Sequence, residues 1–485
     1  MARQAVLIIS VAFIGALVIG DLLRRRDISA ASWLAVIWLA ICASRPVSTW
    51  FQSGTAYATP DDYLEGSPLD GLVFLLLILA GCAVLLWRRI PMAQIVSQNR
   101  WIFVFYLYCG LSVFWSDYPF VAFKRLYKDF GNVILLLVLF TERDPVEAVK
   151  AAFVRCAYIL VPLSYVFVRY IPEIGRAYTG YNSNDLMFVG VATHKNTLGA
   201  LLMVSSFFLA ADQLSVRRKG FVILGPFLRL GSGLVLLMAV WLLVIANSAT
   251  SLVCTILGVS ILLASGFGAI RRRLRFVEVF VVLLAAGWFL LDYAFGITES
   301  AVQGLGRDMT FTGRSDAWQI VLSSPINPLF GAGFKSFWAG ERMEKLWETL
   351  PHIVQAHNGY VETYLNGGLL GLLILMFMMV GGFAKIKQRL MAGDGFARVQ
   401  FAFWIVALVY NLSESAFNNL FLVWFTTLLV VAELPSARQP VPEASIHALA
   451  QKREKPGRAS IAQKDRLGAL RTPSSMRHVT VPRPR

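Results

Sequence analysis

The sequence predicts an all-α, polytopic integral membrane protein with about 12–13 transmembrane helices and one large extracytoplasmic loop. Three observations lead there. Of 485 residues, 57% are hydrophobic and only 15% charged, against roughly 25% charged in soluble domains. Apolar runs such as 71–87, 276–291 and 369–382 reach or approach the about 20 helical residues that cross a hydrocarbon core. The basic residues fall in short clusters between those runs and in the C-terminal tail, so the net charge of +16 reads as an orientation signal and not as nucleic-acid binding.

The first apolar run, 5–20, has Arg3 before it and Arg24, Arg25 and Arg26 after it. That order is the reverse of a cleavable signal peptide and predicts a retained helix. Predicted spans follow at 5–23, 31–50, 69–87, 101–117, 129–141, 148–170 and 195–213, then at 230–248, 251–270, 275–296, 357–382, 399–415 and 418–434. The clusters at 24–26, 88–89 with Arg100, 217–219, 271–275 and 385–389 mark the cytoplasmic side by the positive-inside rule. The acids Asp61, Asp62 and Glu65, the segment 171–193, the turn 247–251 and the loop after Phe295 then lie outside, with the C-terminus inside. Thirteen spans place the N-terminus outside; the fifth span is short, so twelve also stand. Cys42, Cys82, Cys109, Cys156 and Cys254 form no Cys-x-x-Cys pair, which points to small core residues and away from disulfides or thiolate metal sites.

The loop 297–356 reads as a folded cap, because Trp318, Phe330, Phe334, Phe337, Trp338 and Trp347 give it apolar residues to pack. The pattern over 312–322 predicts a short capped helix with Trp318 and Val321 on one face, followed by a turn at 324–327. From Pro435 the chain turns to Pro, Ser, Ala and basic residues without apolar periodicity, which predicts a disordered cytoplasmic tail over 435–485. Lys452, Arg453, Lys455 and Arg458 either touch anionic lipid headgroups or stay solvated. No internal repeat is visible, which weighs against a repeat-built transporter.

Chemistry concentrates where the loop meets the membrane, in Ala356-His357-Asn358-Gly359-Tyr360-Val361-Glu362-Thr363-Tyr364-Leu365-Asn366-Gly367-Gly368-Leu369-Leu370-Gly371. On a helix His357, Tyr360, Tyr364 and Gly371 share one face, and the small residues admit a close neighbour. An imidazole at the outer headgroups suits a general base acting on a hydroxyl; an interfacial histidine bonded to the cap is the plainer alternative. His352 lies five residues before His357 and no third ligand is apparent, so a zinc site is not expected.

The His357-Asn358 pair followed by Gly368-x-x-Gly371 resembles the signature of the O-antigen ligase and polymerase superfamily of bacterial inner membranes. Thr312-Gly313-Arg314-Ser315-Asp316-Ala317-Trp318 and Pro328-Leu329-Phe330-Gly331-Ala332-Gly333-Phe334 resemble its preceding loop segment. Thr193-His194-Lys195-Asn196-Thr197-Leu198-Gly199 is similar to an element of its exopolysaccharide branch, the succinoglycan-type polymerases. The likeness covers about 190–420 in the expected order. It implies a transmembrane glycosyl-transfer domain over 1–434, with the active site facing the periplasm.

The activity implied is metal-independent, inverting transfer from an undecaprenyl-diphosphate-linked donor to an acceptor hydroxyl. His357 would be the base and Arg314 the diphosphate clamp, guanidinium being a bidentate phosphate ligand that stays charged; an ion pair of Arg314 with Asp316 or Asp308 is the plainer alternative. His194, Lys195, Asn358 and Tyr360 are candidate substrate contacts, and Lys195 equally suits snorkelling to the interface. Glu414, costly at the end of an apolar helix, either orients His357 or an arginine, or is a hydrated turn acid. Arg176, Arg125 and Lys128 are weaker candidates for glycan or phosphate contact.

Three functions follow: an exopolysaccharide polymerase, an O-antigen ligase acting on lipid A core, and a lipid-linked oligosaccharide transporter without bond chemistry. The expected partners are lipid-linked oligosaccharides, membrane lipids and proteins of chain-length control and export. A lipid-borne substrate further implies a lateral opening between helices beneath the cap.

Overall fold

The computed structural model describes residues 2–51, 67–89, 92–178, 186–215, 224–268, 273, 314–350 and 353–434; the side chains of 2, 215, 224 and 314–316 lie outside the description. So do the predicted span 275–296, the loop stretch 297–313, the acids at 61–65, His352 and the tail 435–485.

The chain is an all-α polytopic membrane protein, in which apolar composition sets the spans and local punctuation sets their ends. The described elements are α1 (Ala2–Arg24), α2 (Ser32–Cys42), α3 (Val47–Phe51), α4 (Pro68–Trp87), α5 (Met92–Gln98), α6 (Arg100–Leu111), α7 (Pro119–Phe140), α8 (Pro145–Tyr170) and α9 (Pro172–Gly175). A hairpin of β1 (Arg176–Tyr178) and β2 (Leu186–Phe188) pairs antiparallel with Ala177 opposite Met187. Then come α10 (Lys195–Ser215), α11 (Leu224–Ile245), α12 (Ala249–Ala264), α13 (Arg314–Leu322), α14 (Gly340–Thr349), α15 (Gly359–Met391), α16 (Gly395–Tyr410) and α17 (Leu422–Val431).

Two predicted spans are redrawn. The span 31–50 is broken, with α2 ending at Cys42 and α3 starting at Val47: Pro46 has no N–H and keeps Arg45 out of helical geometry. Arg45 uses that break to donate to the carbonyls of Ile174, Gly190 and Ala192, tying down the chain that leads into His194. The short fifth span is in fact the 22-residue α7, which starts back at Pro119. Its first three turns carry Lys124, Arg125 and Lys128, which hid it from an apolar reading.

The main core is continuous across the helices, with Trp38, Phe208, Phe403, Trp424 and Phe425 fully buried. Leu76, Leu79, Leu237 and Val240 on α4 and α11 are exposed instead, as helix faces turned to lipid would be. One cluster of buried charge is paired. Arg25 bonds Asp21, Glu147 (3.1 Å) and Asp212 (2.6 Å), while Arg155 reaches Asp21 at 2.8 Å. This network joins α1, α8 and α10 near one end of each helix.

The described part of the loop packs as expected, around Val321, Phe337, Trp338, Met343 and Leu346 with Trp318 and Trp347 against them. Two aromatics go elsewhere. Phe334 joins the main core, and Phe330 lies edge-on to Trp115, ring centres 5.5 Å apart.

Candidate functional site

Asn358 decides where α15 begins. Its Oδ1 accepts the N–H groups of Tyr360 (2.9 Å) and Val361 (3.1 Å), its Nδ2 donates to the Leu412 carbonyl at 3.1 Å, and its own N–H donates to Ser415 Oγ at 3.0 Å. An asparagine cap of this kind contributes about 1 kcal/mol. Asn358 is therefore engaged in positioning.

His357, one residue earlier, lies outside the helix with φ at 49°, a left-handed conformation that non-glycine residues adopt at a cost and that gathers at functional sites. The expectation of one helical face for His357, Tyr360, Tyr364 and Gly371 is corrected. Tyr360 donates its hydroxyl to the Leu408 carbonyl at 3.0 Å and packs on Phe417, Tyr364 joins the loop cluster, and Gly371 lies beyond a break in α15 at Gly368.

The left-handed turn delivers His357 to Glu414. Nδ1 and Oε2 are 3.7 Å apart, an ion-pair separation longer than a hydrogen bond, and Nδ1 is buried without a hydrogen-bond partner. Glu414 sits four residues past the end of α16 and is 7% exposed. Its Oε1 accepts from Asn196 Nδ2 at 2.7 Å. The Asn196 backbone N–H donates to His194 Nδ1 at 3.2 Å, so neutral His194 carries its proton on Nε2.

These residues enclose a cavity of about 380 Å³ with Gln355 and Ser415 on its wall. Burial holds the His194 pKa below the ordinary value; Glu414 opposes that shift, while His357 and Lys195 reinforce it. The chamber thus joins two imidazoles, one buried carboxylate and an amide, a set suited to taking a proton from a hydroxyl.

Residues 234–376 match the family described as O-antigen ligase. The chain is also similar to the exopolysaccharide production protein ExoQ of Rhizobium meliloti (strain 1021), 26% identical over 327 residues that span 65% of this chain and 71% of the relative. The matched domain contains Arg314 and His357, and it stops short of His194 on one side and Glu414 on the other.

Within the matched stretch, the segment after α13 is docked on the broken helix by backbone bonds. The break at Gly368 frees the N–H groups of Leu369 and Leu370, which donate to the carbonyls of Pro328 (2.9 Å) and Leu329 (3.1 Å), while Ala332 N–H donates to the Leu365 carbonyl at 3.0 Å. Trp338 Nε1 and the Ala356 N–H both bond the Glu362 carboxylate, at 2.8 and 2.9 Å, which holds the residue before His357 in place.

The remaining expected site residues separate. Arg314 opens α13, with its side chain outside the description. Lys195 opens α10 and does not line the chamber, although its charge is felt at His194. Arg176 is engaged locally, donating to the Val168 carbonyl near the end of α8 at 3.1 Å and lying over the Phe188 ring of β2. The residue that sequence reasoning missed is Asn196, the amide that fixes Glu414. Its place inside the His194 motif was the available signal.

Proposed function

We propose that the protein polymerises lipid-linked exopolysaccharide repeat units by glycosyl transfer at the outer face of the bacterial inner membrane, with its C-terminus in the cytoplasm. The observation that carries this reading is the part-buried meeting of His357, Glu414 and Asn196, contributed by three separate segments. Similarity to an exopolysaccharide production protein supports the polymerase over the lipid A core ligase.

In this reaction Glu414 holds a proton on His357 Nδ1, leaving the Nε2 lone pair for the acceptor hydroxyl. Nε2 takes the hydroxyl proton as the oxygen attacks the anomeric carbon from the face opposite the undecaprenyl diphosphate. The new glycosidic C–O bond forms, the bond to the diphosphate breaks, and its electron pair leaves with the lipid diphosphate, so the configuration inverts. Arg314 clamps the leaving diphosphate, where a fixed cation stabilises developing charge. The reaction calls on no metal or cofactor. Chain-length and export proteins would take the product onward.

Polymer made by wild-type and His357→Ala protein in a deletion strain, at matched membrane abundance, tests the reading. Loss of long chains with accumulation of single lipid-linked repeats is expected. Accumulation of unligated long chains would identify a ligase, and full activity would remove His357 as the base.

A further inference from the structure

The two imidazoles of the chamber are held by one bridge, and it gives them opposite tautomers. Asn196 donates its backbone N–H to His194 Nδ1 at 3.2 Å and its side-chain Nδ2 to Glu414 Oε1 at 2.7 Å, while Glu414 Oε2 faces His357 Nδ1 at 3.7 Å. His194 thus turns a lone pair to the start of α10 and keeps its proton on Nε2. In the proposed reaction His357 is the reverse, with the proton on Nδ1 beside the carboxylate and the lone pair on Nε2.

The free edges of both rings belong to one space. His357 Nδ1 is buried while 30% of the side chain is exposed, so the open part of that ring lies away from Nδ1. Both histidines line the same cavity of about 380 Å³, inside the about 300–1,000 Å³ typical of small-molecule sites, and a charge on His357 acts on His194. Tyr410 and Phe421, ring centres 6.5 Å apart, supply an apolar wall for the C–H face of a sugar. Past Gln355 and Ser415 lies a second cavity, lined on α7 by Lys124, Arg125 and Lys128, which leaves room for the rest of a glycan.

The chamber offers one acceptor and one donor. The lone pair of His357 suits the hydroxyl that attacks. The N–H of His194 needs an oxygen too, and the attacking oxygen is the wrong one, because a donor there withdraws the electron density that the attack requires. A neighbouring hydroxyl on the same sugar meets the need without that cost, and a buried donor with no partner is penalised.

We infer that His194 Nε2–H binds a second hydroxyl of the acceptor sugar, next to the one that attacks, so that the chamber selects acceptors with a free vicinal diol. The inference rests on the polymerase reading and deepens it by naming what the acceptor carries.

His194 also has a structural task, since its Nδ1 caps α10, but the two tasks use different nitrogens. Asparagine reproduces the Nδ1 acceptor and is a strong N-cap, with nothing at the position of Nε2. Glutamine reaches that position with an N–H donor and lacks the cap.

The test uses full-length protein in lipid nanodiscs, with the lipid-linked repeat isolated from a deletion strain as donor. Acceptors are synthetic glycosides of the same repeat, intact or lacking one hydroxyl beside the position linked in the polymer; without a diphosphate they can only accept. Wild type should use one of the deoxy acceptors about 5- to 100-fold less well in kcat/KM than the intact one, the cost of an unpaired donor. His194→Asn should keep the wild-type thermal midpoint, lose a similar factor on the intact acceptor and no longer distinguish the two. His194→Gln should melt earlier yet retain the discrimination. Equal use of every deoxy acceptor by wild type overturns the inference, as does discrimination that survives in His194→Asn or vanishes in His194→Gln; transfer to the intact acceptor would then leave the polymerase reading standing. If folded wild type transfers glycan to no acceptor, the polymerase reading fails and the diol site with it.

Discussion

His357 is held out of its helix by one cap and turned toward one acid, so in the proposed reaction its chemistry depends on Asn358 and Glu414 as well. Removing the Glu414 charge leaves Nδ1 buried beside a neutral amide. Glu414→Gln is therefore expected to lower polymerisation by about 100-fold, within the range for general-base catalysis, at unchanged membrane abundance. Asn196→Ala, which frees Glu414 Oε1 from its 2.7 Å donor, should fall between that variant and wild type in the same assay.

His194 makes a separate prediction about stability. Its folded pKa is lowered, first by burial, so the unfolded chain binds the proton more readily. Stability from this group is complete above about pH 6.5, the ordinary histidine value, and is lost as pH falls below it toward the folded pKa. Thermal midpoints of wild-type protein should drop on acidification through that window. His194→Gln should flatten the drop, and an unchanged slope would dismiss the assignment.

At the scale of elements, the site depends on how α15 is broken. Gly368 has φ 62° and ψ −166° inside the helix, and a Cβ there would lie 2.3 Å from the Leu329 carbonyl. Gly331, at φ 69°, would place a Cβ 2.6 Å from the Asn366 backbone. Both close approaches involve backbone, which cannot swing aside. Gly368→Ala should cost about 3 kcal/mol or more, from strain plus overlap, read as a lower thermal midpoint and loss of polymer together.

Sequence reasoning located this region through the His357-Asn358 pair and the glycines, yet drew one continuous helix through it. Helical periodicity carries no sign of a histidine turned into the left-handed region, and Gly-x-x-Gly reads alike as a packing face or a break. The same blindness hid the start of α7, because hydropathy discards the very turns whose cations line a cavity. What the sequence did show was type and order: apolar runs for spans, aromatics for the loop core, and an acid at Glu414 that suited either an orienting role or a hydrated turn.

At the scale of the whole molecule, the arginines near the first span illustrate how long-range pairing escapes a linear reading. Arg24 and Arg25 read as topology signals, and they are also bonded to Asp212, which is 3% exposed and lies on α10, 188 and 187 residues away. No local pattern announces such a partner. Asp212 and Lys195 are separated by 17 residues along α10, about 25 Å of helix, so the network anchors the far end of the helix whose start positions Asn196.

Breaking a buried network by deleting one partner leaves an uncompensated charge and costs about 3–5 kcal/mol. Asp212→Ala is accordingly expected to lower the thermal midpoint strongly and to reduce membrane abundance. It should leave activity per folded molecule close to wild type if α10 moves as a rigid rod only when the protein unfolds. A variant that is normally abundant but inactive would mean instead that the network sets the tilt of α10, and through Asn196 the distance between Glu414 and His357. Activity normalised to folded protein, measured beside the melting curve, separates the two because a stability defect moves the curve alone.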